Sequence, residues 1–332
     1  MKNQKIALTL VSLAATIMLA ACGGGGGGGN GGNTTGAAPS TPASSPATGN
    51  VATPQYVAST AQLAVFTTLN QQRQQCGFPA LTENTVLDQA AQAHAKYMGQ
   101  NGGNITDTEA TGNPGFTGTT YSDRAVHFGF PNSQIVYSGG ASAGYYTNAT
   151  LTETQYGQQI AYEWLGGVYH IALGVWPITQ IGIGWNEMTF NGFPEIQSSA
   201  TIANLQPMTG NLPLTFPCQG TTGVAYMTAG ETPTPPNTTS GTFGTPIGVS
   251  GNPTDNVVLQ SGTVTDSSGN VINLQLLNAA TDPNKLLPAF EAVAYPGTPL
   301  TPNTTYSVSL TGTINGTAFS RSFSFTTGSI VG

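Results

Sequence analysis

Charged side chains are scarce in this sequence, and basic ones are the scarcest. Charged residues make up 6% of the 332 residues, against about 25% in an average soluble domain. Seven lysines and arginines stand against fourteen acidic residues, which gives a formal net charge of −7. A chain this poor in Lys and Arg lacks the basic surface that binds nucleic acid or anionic lipid headgroups. We therefore expect no nucleic-acid partner.

Long hydrophobic stretches are also missing, with one exception at the amino terminus. Ile6–Ala20 is almost continuously apolar and follows a short basic segment, Met1–Lys5. The run is too short to span a bilayer comfortably, but it has the length of a signal-peptide core. It ends in Leu19-Ala20-Ala21-Cys22, which resembles the lipobox of bacterial lipoproteins. This resemblance implies a signal peptide over residues 1–21 and a Cys22 that carries several acyl chains, which anchor a protein stably in a membrane.

A flexible tether is predicted after Cys22. Seven glycines, Gly23–Gly29, follow it at once, and Gly, Asn, Thr, Ser, Ala and Pro dominate as far as residue 55. Such a segment cannot bury enough apolar surface to offset its ordering entropy, so residues 22–55 are predicted to be disordered. The glycine run favours the lipoprotein over the alternative, an ordinary signal peptide cleaved after Ala21. By resemblance to lipoprotein sorting, the residue after Cys22 favours the outer membrane of the cell envelope, on its periplasmic or its surface side.

Cysteine is rare beyond the lipobox, where only Cys76 and Cys218 remain. An even pair in an oxidising compartment predicts one disulfide. A bond that closes so long a loop stabilises the fold by about 4 to 5 kcal/mol in the chain-entropy model. The alternative, two free thiols, has little support because neither cysteine lies near a nucleophile motif.

Two folded domains are predicted on either side of a proline-rich connector, residues 229–241. Residues 56–228 mix helical and strand patterns, whereas residues 242–332 contain short strand patterns only. The predicted helices are 59–75, 83–100, a short one at 121–125 that Ser122 or Asp123 caps, and 152–165. Alternation predicts a strand over Gln180–Trp185. The fold class is therefore α+β, with helices on both sides of a small sheet, followed by an all-β domain.

The second domain carries two local signals of a β-sandwich. Asn315-Gly316 lies between two alternating runs and predicts a tight hairpin. The segment Leu300–Tyr306 resembles the tyrosine corner of immunoglobulin-like (Ig-like) sandwiches. We expect an Ig-like domain whose role is spacing or adhesion, although fold alone names no ligand.

The first domain carries an ordered set of motifs that resembles a known family. In chain order they are Leu69-Asn70-Gln71-Gln72-Arg73, Leu87–Ala95, Asp123-Arg124-Ala125, Trp164, His170 and Ile181-Gly182-Ile183-Gly184. Their order and spacing resemble the CAP superfamily (the cysteine-rich secretory, antigen 5 and pathogenesis-related-1 domain) in its bacterial form. The resemblance implies an α-β-α sandwich for the first domain.

The family's cleft holds two histidines and usually one or two glutamates, and in some members it binds a divalent metal. His170 matches the second histidine, but Asp107 stands where the first is expected. The family's Gly-Glu-Asn segment falls at Tyr137-Ser138-Gly139-Gly140, which contains no glutamate. The resemblance therefore implies a depleted cleft, whose candidate ligand-binding residues are His170, Asp107, Glu109, Trp164 and Tyr169.

One imidazole and two carboxylates make at most a weak divalent-metal site, since zinc sites usually need three or four converging ligands rich in His or Cys. We expect no tight metal, no other cofactor and no catalytic residue here. His170 is equally compatible with a structural, hydrogen-bonded role. His94 lies on the apolar face of its helix and is expected to be a core histidine, while His127 is expected to be solvated.

These observations favour a membrane-anchored, non-enzymatic binding module of the cell envelope. The family resemblance suggests a small apolar ligand, such as a lipid or sterol, or a glycan. A hydrolase that uses the cleft around His170 is one alternative, although the sequence has no Gly-x-Ser-x-Gly elbow. An adhesive or structural surface protein is another. The oligomeric state is not predicted.

Overall fold

A computed structural model describes residues 49–132 and 138–332 of the chain. The predicted signal peptide, Cys22 and the predicted tether as far as residue 48 lie outside the described residues. Within the described ranges, no helix is long and apolar enough to cross a membrane.

The helices all lie in the first half of the described chain. They are α1 (Ala61–Gln75), α2 (Thr85–Gln100), α3 (Tyr121–His127), α4 (Glu153–Gly166) and α5 (Ala172–Val175). The apolar spacing predicted α1, α2 and α4 to within two residues at each end. The predicted cap of α3 was wrong, because Thr120 is the N-cap and Asp123 accepts a hydrogen bond from its main-chain N–H. This reciprocal pair is a capping box, which satisfies two free N–H groups at once.

A four-stranded sheet separates the helices into two layers. Its strands are β1 (Thr82–Glu83), β2 (Ser138–Tyr146), β3 (Ile178–Phe190) and β4 (Phe193–Leu205), in the order β1-β3-β4-β2. Helix α2 lies directly on β3 because Gly182 and Gly184 have no side chains. A Cβ at Gly182 would stand 2.0 Å from the main chain of Leu87. The glycines of the predicted Ile-Gly-Ile-Gly motif therefore set the distance between helix and sheet.

The second half of the chain is an Ig-like sandwich of two sheets, as predicted. The strands are β5 (Leu214–Phe216), β6 (Thr221–Val224), β7 (Met227–Thr228), β8 (Phe243–Gly244), β9 (Ile247–Ser250), β10 (Val257–Asp266), β11 (Val271–Asn273), β12 (Gln275–Asn278), β13 (Glu291–Tyr295), β14 (Thr305–Ile314) and β15 (Thr317–Thr327). One sheet has the order β11-β10-β14-β15-β6 and the other β12-β13-β9-β5, while β7 and β8 pair with each other in a separate two-stranded sheet. The hairpin at Asn315-Gly316 joins β14 to β15, with positive φ at both turn residues. The Tyr306 hydroxyl accepts a hydrogen bond from the main-chain N–H of Thr301, as a tyrosine corner requires.

The division between the two domains differs from the expected one. Strands β5 and β6 fall within the range 56–228, yet they pair with β9 and β15 of the sandwich. The predicted disulfide between Cys76 and Cys218 is present, with a Cα–Cα distance of 5.4 Å. It ties the end of α1 to the segment between β5 and β6. The connector 229–241 is not a free spacer either, since Glu231 is only 2% exposed.

The predicted tether also ends earlier than expected. Residues 49–55 are attached to the body of the protein through main-chain groups. The carbonyl of Gly49 accepts from the N–H of Thr85, and the N–H of Val51 donates to the carbonyl of Glu83. Such backbone contacts leave no mark in composition, which explains why residue 55 was predicted as the boundary.

Two buried glutamates make the stability of this fold pH-dependent. Burial raises the pKa of Glu163 in α4 and of Glu291 in β13 to about 8, although hydrogen bonds from Gln159 and Trp176 oppose the rise. The folded protein therefore binds these protons more tightly than the unfolded chain, whose glutamates titrate near 4.5. Their contribution is complete below pH 4.5 and is lost as the pH rises towards 8.

We predict that Glu163→Gln and Glu291→Gln each flatten this dependence, because a neutral amide mimics the protonated acid. Between its unfolded and its folded pKa, each glutamate binds one more proton in the folded protein than in the unfolded chain. Over this range it lowers the free energy of unfolding by up to about 1.4 kcal/mol for each unit by which the pH rises. Urea unfolding at pH 5, 6.5 and 8 measures the slope. Glu195→Gln, at a partly exposed site, is the control. Equal slopes in wild type and both variants would contradict the assignment.

Candidate functional site

A buried arginine positions the segment that carries His170. Arg73 of α1 is wholly buried, and its guanidinium donates to the main-chain carbonyls of Leu173, Trp176 and Ile178 at 2.9 to 3.0 Å. Burial lowers the pKa of Arg73 to about 9, so the group remains charged at neutral pH. Carbonyl dipoles therefore solvate this cation, and in return the arginine fixes the course of residues 173–178.

A carboxylate from the connector holds the other end of the same segment. Glu231 accepts hydrogen bonds from the N–H groups of Val168, Tyr169 and His170, at 2.8, 2.9 and 3.1 Å. Three consecutive N–H groups form a concave anion-binding nest. The same carboxylate lies 2.6 Å from Nδ1 of His170, and both side chains are fully buried. Glu231 therefore sets both the main chain and the ring orientation of His170.

Asp107 lies within range of an electrostatic interaction with His170. Burial raises the pKa of Asp107 to about 6, and the nearby His170 is the largest of the effects that oppose the rise. Oδ1 of Asp107 accepts from the Tyr121 hydroxyl at 2.6 Å, and that hydroxyl lies 2.9 Å from Oγ of Ser142. Nε2 of His170 and Oδ2 of Asp107 are both buried and have no hydrogen-bond partner among the described residues. Each side chain therefore keeps one free polar atom, and His170 and Asp107 with Tyr121, Ser142 and Glu231 are called the His170 pocket below.

The resemblance implied that Glu109 belongs to this cleft, but Glu109 interacts with a different histidine, His94. Its carboxylate accepts from the N–H groups of Thr117 and Gly118 and lies 3.0 Å from Nδ1 of His94. Nε2 of His94 lies 2.7 Å from the carbonyl of Thr106. Both nitrogens of His94 are therefore engaged, which confirms the prediction of a core histidine. His94 cannot supply a second imidazole to His170, and His127 is exposed on α3.

The two aromatic candidates beside His170 are also buried. The Tyr169 hydroxyl donates to Oδ1 of Asp282 at 2.9 Å and accepts from Nδ2 of Asn284 at 2.7 Å. Trp164 is 0% exposed and packs in the core of the first domain. Tyr169 thus contacts the sandwich, and neither ring is available to a ligand from solvent.

His170 is a buried base whose ring orientation is fixed by Glu231. A carboxylate at Nδ1 favours the tautomer with the proton on Nδ1, which leaves Nε2 as an acceptor. Within the described residues, no group of three or more His, Cys, Asp or Glu side chains is placed to hold a metal ion. Among the side chains of the His170 pocket, only Nε2 of His170 and Oδ2 of Asp107 are without a partner, and two ligands are fewer than a zinc site requires.

A second feature is an open groove along α2, with a volume of about 490 Å³. That volume lies within the usual range of small-molecule sites. The amino-terminal segment, the start of α1, β1, β3 and the turn after α3 complete its walls. The residues that line it are Tyr56, Gln62, Glu83, Asp88, Gln89, Gln92, Ala93, Lys96, Phe128 and Ile183.

The acidic residues on the floor of the groove are already engaged within the protein. Asp88 accepts from the Tyr56 hydroxyl at 2.6 Å and from the N–H of Ile183 at 2.8 Å. Glu83 accepts from the N–H of Gln55. Burial raises the pKa of Asp88 to about 7, and the neighbouring Glu83 adds to the rise. The floor therefore carries less negative charge at neutral pH than its two carboxyl groups suggest.

The α-β-α sandwich is the arrangement that the motif order implied. The family model of CAP, the cysteine-rich secretory protein family, matches residues 66–193. These residues therefore form a CAP domain, and the resemblance is confirmed. Among solved structures, the chain is similar to an outer surface protein from Borrelia burgdorferi, at 15% identity and a TM-score of 0.33, over 44% of this chain and 93% of that one. A search of curated proteins finds no match.

Sequence reasoning missed Glu231 and the groove. Glu231 was assigned to a proline-rich spacer, where polar residues are ordinarily solvated. One signal was available, since a chain with only fourteen acidic residues places one of them in a connector that otherwise has no charge. The groove gave no signal, because its walls come from six separate segments of ordinary composition.

We predict that Glu231→Ala costs about 3 to 5 kcal/mol of folding free energy, because it leaves three buried N–H groups and an imidazole without their acceptor. Glu231→Gln keeps one acceptor oxygen and should cost clearly less. Thr234→Ala, at an exposed position of the same connector, is the matched control. Guanidinium unfolding measures all three. An unchanged midpoint for Glu231→Ala would show that the connector does not hold the His170 segment.

Proposed function

We propose that this protein is a lipoprotein of the cell envelope, anchored through Cys22, whose CAP domain binds a small apolar or amphipathic ligand without catalysis. The groove along α2 is the observation that supports this proposal. It is open to solvent and has the volume of a ligand site, whereas the side chains of the His170 pocket are buried.

The walls of the groove suit an apolar ligand. The rings of Tyr56 and Phe128 and the side chains of Ala93 and Ile183 supply apolar surface. Gln89 is exposed on α2 and offers its amide group to a polar end of the ligand, whereas the amide of Gln92 is bonded to the main chain of Trp185. Ligand sites commonly combine apolar walls with a few placed polar groups. A lipid or sterol fits this pattern better than a glycan, which needs more free hydrogen-bonding partners than the groove retains.

Capture of ligand from envelope extracts tests the proposal. Protein incubated with the extracts and re-purified should carry a lipid or sterol that mass spectrometry identifies. Gln89→Trp fills the groove and should weaken binding of the identified ligand about tenfold or more. Gln74→Trp, at an exposed glutamine of α1 outside the groove, should bind normally. Equal loss in both variants, or a captured glycan, would count against an apolar ligand in this groove.

A hydrolase is the second candidate, and the pairing of His170 with Glu231 is the observation that favours it. The pair orients an imidazole with a free Nε2, which is how hydrolases hold a general base. Hydrolysis of a broad ester and peptide panel by wild type and His170→Ala separates the two functions. Our proposal expects neither protein to be active, and an activity that His170→Ala removes would overturn it.

Anchoring through Cys22 is tested separately. In a bacterial host with lipoprotein processing, wild type should incorporate labelled palmitate and fractionate with outer membranes, because the sequence at residues 19–22 resembles a lipobox. Cys22→Ser should lose both the label and the membrane association. Cys218→Ser, which breaks the disulfide, should keep the label. Membrane association without any label on Cys22 would contradict lipid anchoring.

A further inference from the structure

One wall of the groove along α2 belongs to a segment outside the helices and strands. Residues 49–56, called the arm below, come before α1 and reach the groove at Tyr56, which lines it. The side chains from Ala52 to Gln55 are exposed, and those of Val51 and Tyr56 are only partly buried. Burial of apolar surface therefore contributes little to holding the arm in place.

Main-chain hydrogen bonds hold the start of the arm. The carbonyl of Gly49 accepts from the N–H of Thr85 at 2.9 Å, and the N–H of Val51 donates to the carbonyl of Glu83 at 3.2 Å. Both partners belong to regular elements, since Glu83 lies in β1 and Thr85 is the first residue of α2. These bonds fix the place at which the arm joins the domain.

Two carboxyl groups of the groove hold the end of the arm. The N–H of Gln55 donates to the carboxyl group of Glu83, and the Tyr56 hydroxyl donates to Oδ1 of Asp88 at 2.6 Å. The ring of Tyr56 also packs against that of Phe66, with 5.5 Å between the ring centroids. The wall of the groove is therefore attached to its floor by two hydrogen bonds and one ring contact.

The floor of the groove does not depend on the arm. Asp88 lies in α2, and its Oδ1 also accepts from the N–H of Ile183 in β3 at 2.8 Å. The arm continues into an exposed turn at Ala58-Ser59 before α1 begins. Exposed loop residues at the end of an element are common hinges of lid motions. The arm can therefore open while the sheet and α2 stay in place.

We propose that the arm is a hinged wall that opens at the turn Ala58-Ser59 and admits the ligand to the groove from the side of β1. The inference rests on the function proposed for the groove and adds how that site is controlled. In the closed arm, the bonds to Glu83 and Asp88 keep Tyr56 against the floor. In the open arm, these bonds break and the ligand enters or leaves. Weakly buried elements of this kind open at a much smaller free-energy cost than global unfolding.

Protonation of Asp88 links the position of the arm to pH. The titratable side chains that line the groove are Tyr56, Glu83, Asp88 and Lys96. Burial raises the pKa of Asp88 from 3.8 to about 7, while the hydrogen bonds from Tyr56 and Ile183 oppose the rise and the charge of Glu83 adds to it. Opening of the arm lets water reach Asp88 and moves its pKa back towards 3.8.

The closed arm therefore binds this proton more tightly than the open arm does. Closure is strongest below pH 3.8 and weakens as the pH rises through about 7, above which Asp88 is ionised in both states. Within this range the ratio of open to closed arm rises by up to about tenfold per pH unit. The groove is thus held shut in acid and becomes accessible towards neutral pH.

Hydrogen exchange tests the hinge. It is followed amide by amide by NMR on the full-length Cys22→Ser protein, which is not acylated. Gln55 donates its N–H to the floor of the groove from the arm, and Ile183 donates its N–H to the same floor from β3. At pH 7 the amides of Val51 and Gln55 should be protected about a hundredfold less than that of Ile183. Equal protection would show that the arm opens only when the domain unfolds, and would overturn the proposal.

The pH dependence is measured on the same amides, after correction for their intrinsic exchange rates. The protection of Val51 and Gln55 should fall about tenfold or more between pH 5 and pH 7. Asp88→Asn keeps the acceptor oxygen but cannot titrate, so its arm should show no such change. Glu195→Gln, outside the groove, is the matched control and should behave as the wild type. A fall of equal size in Asp88→Asn, or none in the wild type, would overturn the link to Asp88.

Ligand entry is tested with dehydroergosterol, a fluorescent sterol, in stopped-flow experiments. Gln55→Pro removes the N–H that Glu83 binds and should raise both the association and the dissociation rate about fivefold. Thr53→Pro is the matched control, because the N–H of this exposed residue has no hydrogen bond among the described residues. Equal rates in all three proteins would overturn the gate. Absence of binding to the wild type, with arm amides that still exchange fast, would count against a sterol ligand and leave the hinge standing.

Discussion

The segment 168–178 is the part of this protein on which the rest depends, and two buried charges hold it from opposite ends. Glu231 binds its first N–H groups, and Arg73 binds its later carbonyls. The segment has little regular structure of its own, apart from the one-turn helix α5. Without these partners its backbone groups would be buried and unpaired, which is strongly unfavourable. This arrangement sets the orientation of His170 and the contact between the sandwich and the CAP domain.

Features encoded over short stretches of sequence could be predicted. Helices α1, α2 and α4 repeat apolar residues at helical spacing, and the hairpin at Asn315-Gly316 needs only two residues that tolerate positive φ. Strands β5 and β6 were assigned to the wrong domain because three or four residues carry too little pattern to show their partners. Their pairing with β9 and β15 is decided by contacts with residues far along the chain.

The candidate site was predictable only in part, for a related reason. The order of motifs placed Asp107 near His170, because the family's fold brings those positions together. The role of Glu109 was not predictable, since its carboxylate lies beside the buried His94 and Arg124 instead. Burial alone would raise the pKa of Glu109, but the hydrogen bonds from His94 and Thr117 together with the charge of Arg124 lower it. Such competition between neighbouring polar groups is a property of the folded structure.

The shared strands have a consequence for how this protein is built from domains. Strands β5 and β6 complete the sheets of the sandwich, and a disulfide ties Cys218 to Cys76. Neither the CAP domain nor the sandwich is therefore structurally independent of the other. A protease that cut the connector would leave the two fragments joined by the pairing of β5 with β9 and of β6 with β15, whereas the disulfide lies wholly within the first fragment. A gene fusion that transferred residues 66–193 alone would carry Tyr169 and Trp176 without Asp282 and Glu291, their hydrogen-bond acceptors. The buried polar groups of the CAP domain therefore depend on the sandwich for these two bonds.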